Sequence, residues 1–213
     1  MGKFLLPAAG IGGAGAAGVG GYMIFKDKPV QPETTFRTHY SEAILKDNDA
    51  LWDSKFTTLK DNGQPAHQKL AAAKTKFSSN AADEEAKRLH KEGCQDIYDS
   101  KLEKSNYLED FKKYCSKTIK DGVTGTWITQ ASTETAKWNP QLTKLKSHDN
   151  SKNQALDSTL KVLKEQLSTG AETQWDNDKR NALKQWCDGI QGEIFMGSSD
   201  SKFTHAQLYC VET

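Results

Sequence analysis

Four cysteines and five histidines are the side chains in this 213-residue chain best suited to metal, redox or nucleophilic chemistry. Cys94, Cys115, Cys187 and Cys210 include no closely spaced pair of the kind that ligates zinc, and His39, His67, His90, His148 and His205 form no H-E-x-x-H spacing. Each histidine is therefore expected alone on a polar helix face, with no metal and no cofactor. An even cysteine count instead fits a disulfide framework in an oxidising space, for which four cysteines allow three pairings.

The remaining motifs are weak. Gly10-Ile-Gly12-Gly-Ala-Gly15 and Gly13-Ala-Gly15-Ala-Ala-Gly18 both match G-x-G-x-x-G, with Glu33 as the distant acid. Such a phosphate loop needs a strand before it and a polar-faced helix after it. Pro7 interrupts the candidate strand, and Pro29 and Pro32 break the segment before Glu33, so the match reflects a Gly/Ala-rich composition. Asp176-Asn-Asp178 has part of a calcium-loop pattern but lacks the following Gly and distal Glu, and reads as a helix cap before Lys179. Asp83-Glu84-Glu85 suits a helix N-terminus, capped by Asn80, better than acid/base catalysis. A triad is a spatial arrangement on which spacing is silent, and no catalytic residue is assigned. Trp52, Trp138 and Trp186 fall on helical stripes and are expected in the core. Trp127 and Trp175 sit near loops and are the candidates for a contact surface.

The elements that would hold these residues divide sharply. Phe4–Phe25 is a 22-residue run without charge, behind Lys3 and closed by Lys26-Asp27-Lys28. About 20 apolar residues span a bilayer core as a helix, so residues 1–25 are expected to be an uncleaved transmembrane anchor, with no small-residue cleavage site near Tyr22–Phe25. Its seven glycines would make a poor helix in water, but in lipid the backbone must satisfy itself. Ala8, Gly12, Ala16 and Gly20 recur at four-residue spacing, a face on which two such helices could pair as a homodimer. With Lys3 set aside from the 29 basic residues, 28 remain against 28 acidic, so the rest of the chain has no electrostatic drive towards nucleic acid.

Residues 26–40, with Pro29 and Pro32, read as a linker, and 41–213 as an all-α ectodomain. Asn106 with Glu109 resembles a capping box. Leu156, Leu160, Leu163 and Leu167 form a heptad-like seam, and Leu183, Trp186 and Ile190 a further stripe. The halves share two frames. Ala50-Leu-Trp52 to Lys60 aligns with Ala136-Lys-Trp138 to Lys146, and Phe111–Cys115 with Leu183–Cys187. The expectation is a helical bundle of two degenerate repeats, about 41–122 and about 127–213, the second 14 residues shorter between these landmarks. Taking Cys115 and Cys187 as equivalent gives each a local partner, so Cys94–Cys115 and Cys187–Cys210 are the predicted pairs.

The chain resembles the paralogous, uncharacterised proteins of haemotropic mycoplasmas. The resemblance rests on the Gly/Ala-rich span after Met1-Gly-Lys3, the Trp-led helix preceded by Ile44-Leu45-Lys46-Asp47-Asn48-Asp49, the Lys-Gln-Trp186-Cys187 ending and the terminal Tyr209-Cys210. It implies a single-pass protein of the cell membrane, with an extracellular C-terminal domain and a role in host contact or antigenic variation. It implies no functional residues. The reading is thus a non-enzymatic surface protein contacting the membrane through residues 4–25 and a host protein, with a self-associating envelope protein second and a surface hydrolase third.

Overall fold

The computed structural model describes residues 33–79, 83–169 and 175–212. The expected anchor, its pairing face Ala8, Gly12, Ala16 and Gly20, and the proposed cap Asn80 lie outside them. Among the described residues no helix is long and apolar enough to cross a membrane.

The fold is mostly helical, and short polar side chains set where its helices begin. Thr35 opens α1 (Phe36–His39) with a capping box to Thr38. Then come α2 (Leu51–Asn62), α3 (Gln68–Ser79) and α4 (Glu84–Asp99). Asp83 itself caps α4, accepting from the Ala86 N–H, so the acidic run supplies the cap as well as the first turn. The single turn α5 (Leu108–Asp110) runs into a π-helical turn, Phe111–Cys115. Its N-cap is Tyr107 without a side-chain cap bond, in place of the expected Asn106–Glu109 box. Thr118 and Asp121 box the short α6 (Ile119–Gly122), which leads to β1 (Thr126–Trp127). The chain continues through α7 (Thr135–Lys146), α8 (Asn150–Asn153), α9 (Ser158–Ser168), α10 (Asn177–Ile190), α11 (Ser201–Tyr209) and β2 (Val211–Glu212). Asp149, Asp157, Asp176 and Asp200 cap α8 to α11 in turn. β1 and β2 pair antiparallel, Trp127 against Val211.

Burial organises these elements around two apolar clusters. One contains Phe36, Leu45, Trp52, Leu59, Leu70, Phe77, Ile97 and Phe111. The other contains Ile119, Ile128, Trp138, Leu142, Leu160, Leu167, Leu183 and Tyr209. Phe36 is fully buried, so the stretch expected to be a linker is folded from Thr35 onward. The capping box fixes the turn that carries Phe36 inward.

The same contacts recur around each cluster. The Phe36 N–H donates to Ser100 O, and the Ile119 N–H to Glu193 O. Leu102 N–H donates to Thr34 O, and Phe195 N–H to Lys117 O. Ile44 bridges Ser116 as Trp127 pairs with Val211. Trp52 donates its indole N–H to Lys46 O, and Trp138 to Ala131 O. Leu70, Ala73 and Phe77 line α3 at the spacing of Leu160, Leu163 and Leu167 in α9, all buried. Asp83, Cys94 and Ile97 share the spacing of Asp176, Cys187 and Ile190.

One difference is local. Where α10 carries Trp186, whose indole N–H donates to the Asp157 carboxylate, α4 carries Gly93. A Cβ there would lie 2.9 Å from Leu70 Cδ2, so glycine lets α3 approach α4 closely. The clusters are tied across by Lys55–Asp121 at 2.8 Å and by Ile194 and Phe195, which pack on the first cluster.

Candidate functional site

Both predicted cysteine pairs are disulfides, Cys94–Cys115 and Cys187–Cys210, and all four residues are buried. Their places differ from those assigned by sequence. Cys187 lies inside α10 as Cys94 lies inside α4, whereas Cys115 and Cys210 each follow a tyrosine at the end of the next helical segment. By position in the helices, Cys115 matches Cys210 and not Cys187, with which the sequence frames paired it. Cys94 Sγ faces Tyr114 O, and Cys187 Sγ faces Tyr209 O.

In the same half as the first disulfide lies a groove of about 480 Å³. Its walls are the Asp47–Asp49 loop with Asp53 on one side and Glu84, Lys87, Arg88 and Lys91 on the other. Trp52 and Phe56 form the floor. Lys91 donates to Asp47 O and stands 5.4 Å from the Trp52 ring centroid, a cation–π contact that joins the walls. Arg88 is engaged by Glu85 and Glu92, whose hydrogen bonds hold its guanidinium protonated, and Lys87 pairs with Glu84 at 3.3 Å. Asp49 accepts from the Leu51 N–H and pairs with Lys117 at 3.6 Å. The rim is thus a mixed-charge network over an aromatic floor.

His90 lies directly behind that floor, edge-on to Phe56 at 4.6 Å and to Trp52 at 5.6 Å. The Tyr114 carbonyl can only accept, so His90 Nε2 carries a proton and donates to it at 2.9 Å. Nδ1 is buried with no hydrogen-bond partner. Burial pushes the imidazole down to about 4 against the raising effect of the Tyr114 bond, with Lys91 lowering it further. A ring nitrogen and the Cys94 and Cys115 sulfurs lie within 4.8 Å of one another.

A second polar cluster sits in the other half. His148 Nε2–H donates to Gln154 O, so its Nδ1 accepts from the Tyr209 hydroxyl. His205 Nε2–H donates to Asn153 O. Burial pushes the Tyr209 hydroxyl up to about 12 and lowers His205. These bonds hold the turn at Gln154, where φ is +65°, against α11.

Two expectations change here. His90, His148 and His205 are 0%, 5% and 1% exposed rather than on polar faces, because each finds a backbone carbonyl inside the fold. Trp127 and Trp175 are each 5% exposed and belong to the second cluster, so neither indole offers a contact face. Position near a loop did not reveal that strand pairing turns Trp127 inward. Sequence reasoning missed the groove and His90. The available signal was His90 one helical turn before Cys94. Compared with family models, curated proteins and solved structures, the chain matches none of them.

Proposed function

We propose that this is a non-enzymatic, membrane-anchored surface protein whose helical domain acts by contact or display. The observation that carries the reading is the burial of all four cysteines in two disulfides behind a 22-residue uncharged run. Disulfides persist in oxidising spaces, and an anchor of this length holds the domain at the membrane. The resemblance to haemotropic mycoplasma surface proteins supports a host-facing role, with the mixed-charge groove at Trp52 as the contact candidate in place of Trp127 and Trp175. Protease shaving of intact cells tests this. Loss of residues 33–212 without lysis is expected; a domain cut only after lysis removes the reading.

The repeated contacts around the two clusters support an internal duplication. Its boundary falls between Ser116 and Lys117, with α6 opening the second copy, rather than at 122–127. Residues 118–211 are then 94 against 82 for 35–116, 12 more, of which the disulfide separations of 21 and 23 account for two. An experimental structure in which residues 35–116 fail to superpose helix for helix on 118–211 removes this proposal.

The small-residue spacing of Ala8, Gly12, Ala16 and Gly20 favours a second reading, an envelope protein that pairs through its anchor. Gly12→Leu and Ala16→Leu should lower the crosslinked dimer yield. An unchanged yield removes that reading's physical basis.

A further inference from the structure

The place behind Trp52 holds an imidazole where its counterpart holds a leucine. His90 stands one turn before Cys94 and Leu183 one turn before Cys187, and both are fully buried. An apolar side chain therefore fills that place in this architecture. His90 instead leaves Nδ1 desolvated and unpartnered, an arrangement that burial penalises, and one of its ring nitrogens lies within 4.8 Å of both sulfurs. We propose that His90, Cys94 and Cys115 form a zinc-type metal site in the reduced protein, to which the Cys94–Cys115 disulfide is the oxidised alternative.

The geometry suits such a site. A tetrahedral zinc with Zn–S bonds of about 2.3 Å and a Zn–N bond of about 2.0 Å sets its sulfurs roughly 3.8 Å apart and sulfur to nitrogen roughly 3.5 Å. Both spacings fall inside the 4.8 Å span that already contains the three ligand atoms. A ligating histidine usually donates its other ring N–H to a carbonyl or carboxylate, which fixes the tautomer. His90 Nε2–H makes that bond to Tyr114 O, leaving the Nδ1 lone pair for the metal.

The chemistry balances with an external dithiol or phosphine as reductant. Two electrons and two protons convert the disulfide to two thiols; a dithiol supplies both and becomes a disulfide, whereas a phosphine supplies the electrons and water supplies the protons and the oxygen of the phosphine oxide. Metal binding then displaces both thiol protons, with water as fourth ligand. The Cys187–Cys210 pair lacks the third ligand and is an internal control. None of this depends on where the domain is displayed.

The test uses the full chain in detergent, reduced anaerobically with a phosphine and titrated with Co²⁺. One Co²⁺ per chain is expected, with thiolate-to-cobalt charge transfer and tetrahedral d–d absorption. Alkylation of Cys94 and Cys115 should slow roughly tenfold or more with metal, while Cys187 and Cys210 stay unchanged. His90→Leu and His90→Gln, checked for folding in the oxidised state by circular dichroism, should each weaken binding by roughly tenfold or more. The wild-type alkylation pattern decides the matter if neither variant folds. Absence of thiolate–cobalt absorption, equal protection of all four cysteines, or unweakened binding by the folded variants overturns the proposal.

Discussion

Lys55 and Asp121 join the two apolar clusters through a single carboxylate oxygen. Asp121 Oδ2 accepts from Lys55 Nζ at 2.8 Å and also from the Thr118 N–H and hydroxyl, so one atom ties α2 to the second half and caps α6. The Lys55 side chain is 7% exposed and that of Asp121 21%. Burial would raise the Asp121 carboxyl, but the bonds from Lys55 and Thr118 outweigh it and hold the group below its ordinary value.

The two partners should therefore respond unequally to substitution. Asp121→Ala removes the N3 half of the Thr118 capping box and leaves an ammonium buried without its anion, a loss of about 3 kcal/mol or more. Lys55→Met leaves a carboxylate that keeps two bonds and some water, and is expected to cost about 1 kcal/mol. Urea unfolding of both variants decides the order. Equal losses would mean that the carboxylate's cap role is absent.

Acid should destabilise the fold in a defined window. His90 is held neutral to about pH 4 by burial, whereas an unfolded histidine takes its proton near 6.5. Between those values the unfolded chain binds more protons, so stability is full above about 6.5 and falls as pH drops towards 4. The shift corresponds to about 3 kcal/mol from His90. His67 and His205, also lowered by burial, add in the same direction, while the stability from Asp121 is lost only in more acidic solution as its depressed value is passed. Denaturant melts at pH 7 and pH 4.5 should show the loss, and oxidised His90→Leu should flatten it. An unchanged slope in that variant would show that His90 does not govern this window.

The disulfides should contribute comparably. Loops closed over separations of 21 and 23 residues are each worth about 3 kcal/mol in the chain-entropy model. Replacing either pair by alanine should lower stability by about that amount, and non-reducing peptide mapping should recover only the two local pairs. A Cys115–Cys187 peptide from folded protein would contradict both the pairing and the arithmetic.

Helix caps offer a smaller check. Asp83→Ala and Asp176→Ala each remove the side-chain acceptor of a long helix, and each is expected to cost about 1 kcal/mol by urea unfolding. A loss under a few tenths for Asp176 would show that its bond to the Lys179 N–H is not maintained in solution.

The sequence carried much of the helical framework. The stripes of Trp52 with Leu59, of Trp138 with Leu142 and Leu145, and of Leu160 with Leu163 and Leu167 are all buried as helical periodicity predicts. The cysteine pairs came from taking Cys115 and Cys187 as equivalent, and both local pairs form although the helices match those two cysteines differently. Tyr114-Cys115 matches Trp186-Cys187 in local pattern, whereas the equal spacing from the Asp83 and Asp176 caps to Cys94 and Cys187 is a helix-length signal that pairs the cysteines by position instead. The groove was not legible, and His90 only through its place one turn before Cys94, because a polar residue on an apolar stripe shows its role only when its carbonyl partner, Tyr114, arrives from a distant segment. Trp127 and Trp175 were misplaced for the same reason, since packing across the second cluster buries rings that sequence places beside loops.

The local closure of each disulfide also bears on how the chain is made. A ribosome delivers Cys94 and Cys115 well before Cys187 exists, so the first cysteine of each pair meets its mate as the next one to emerge. Oxidation in order of synthesis therefore gives the native connectivity directly.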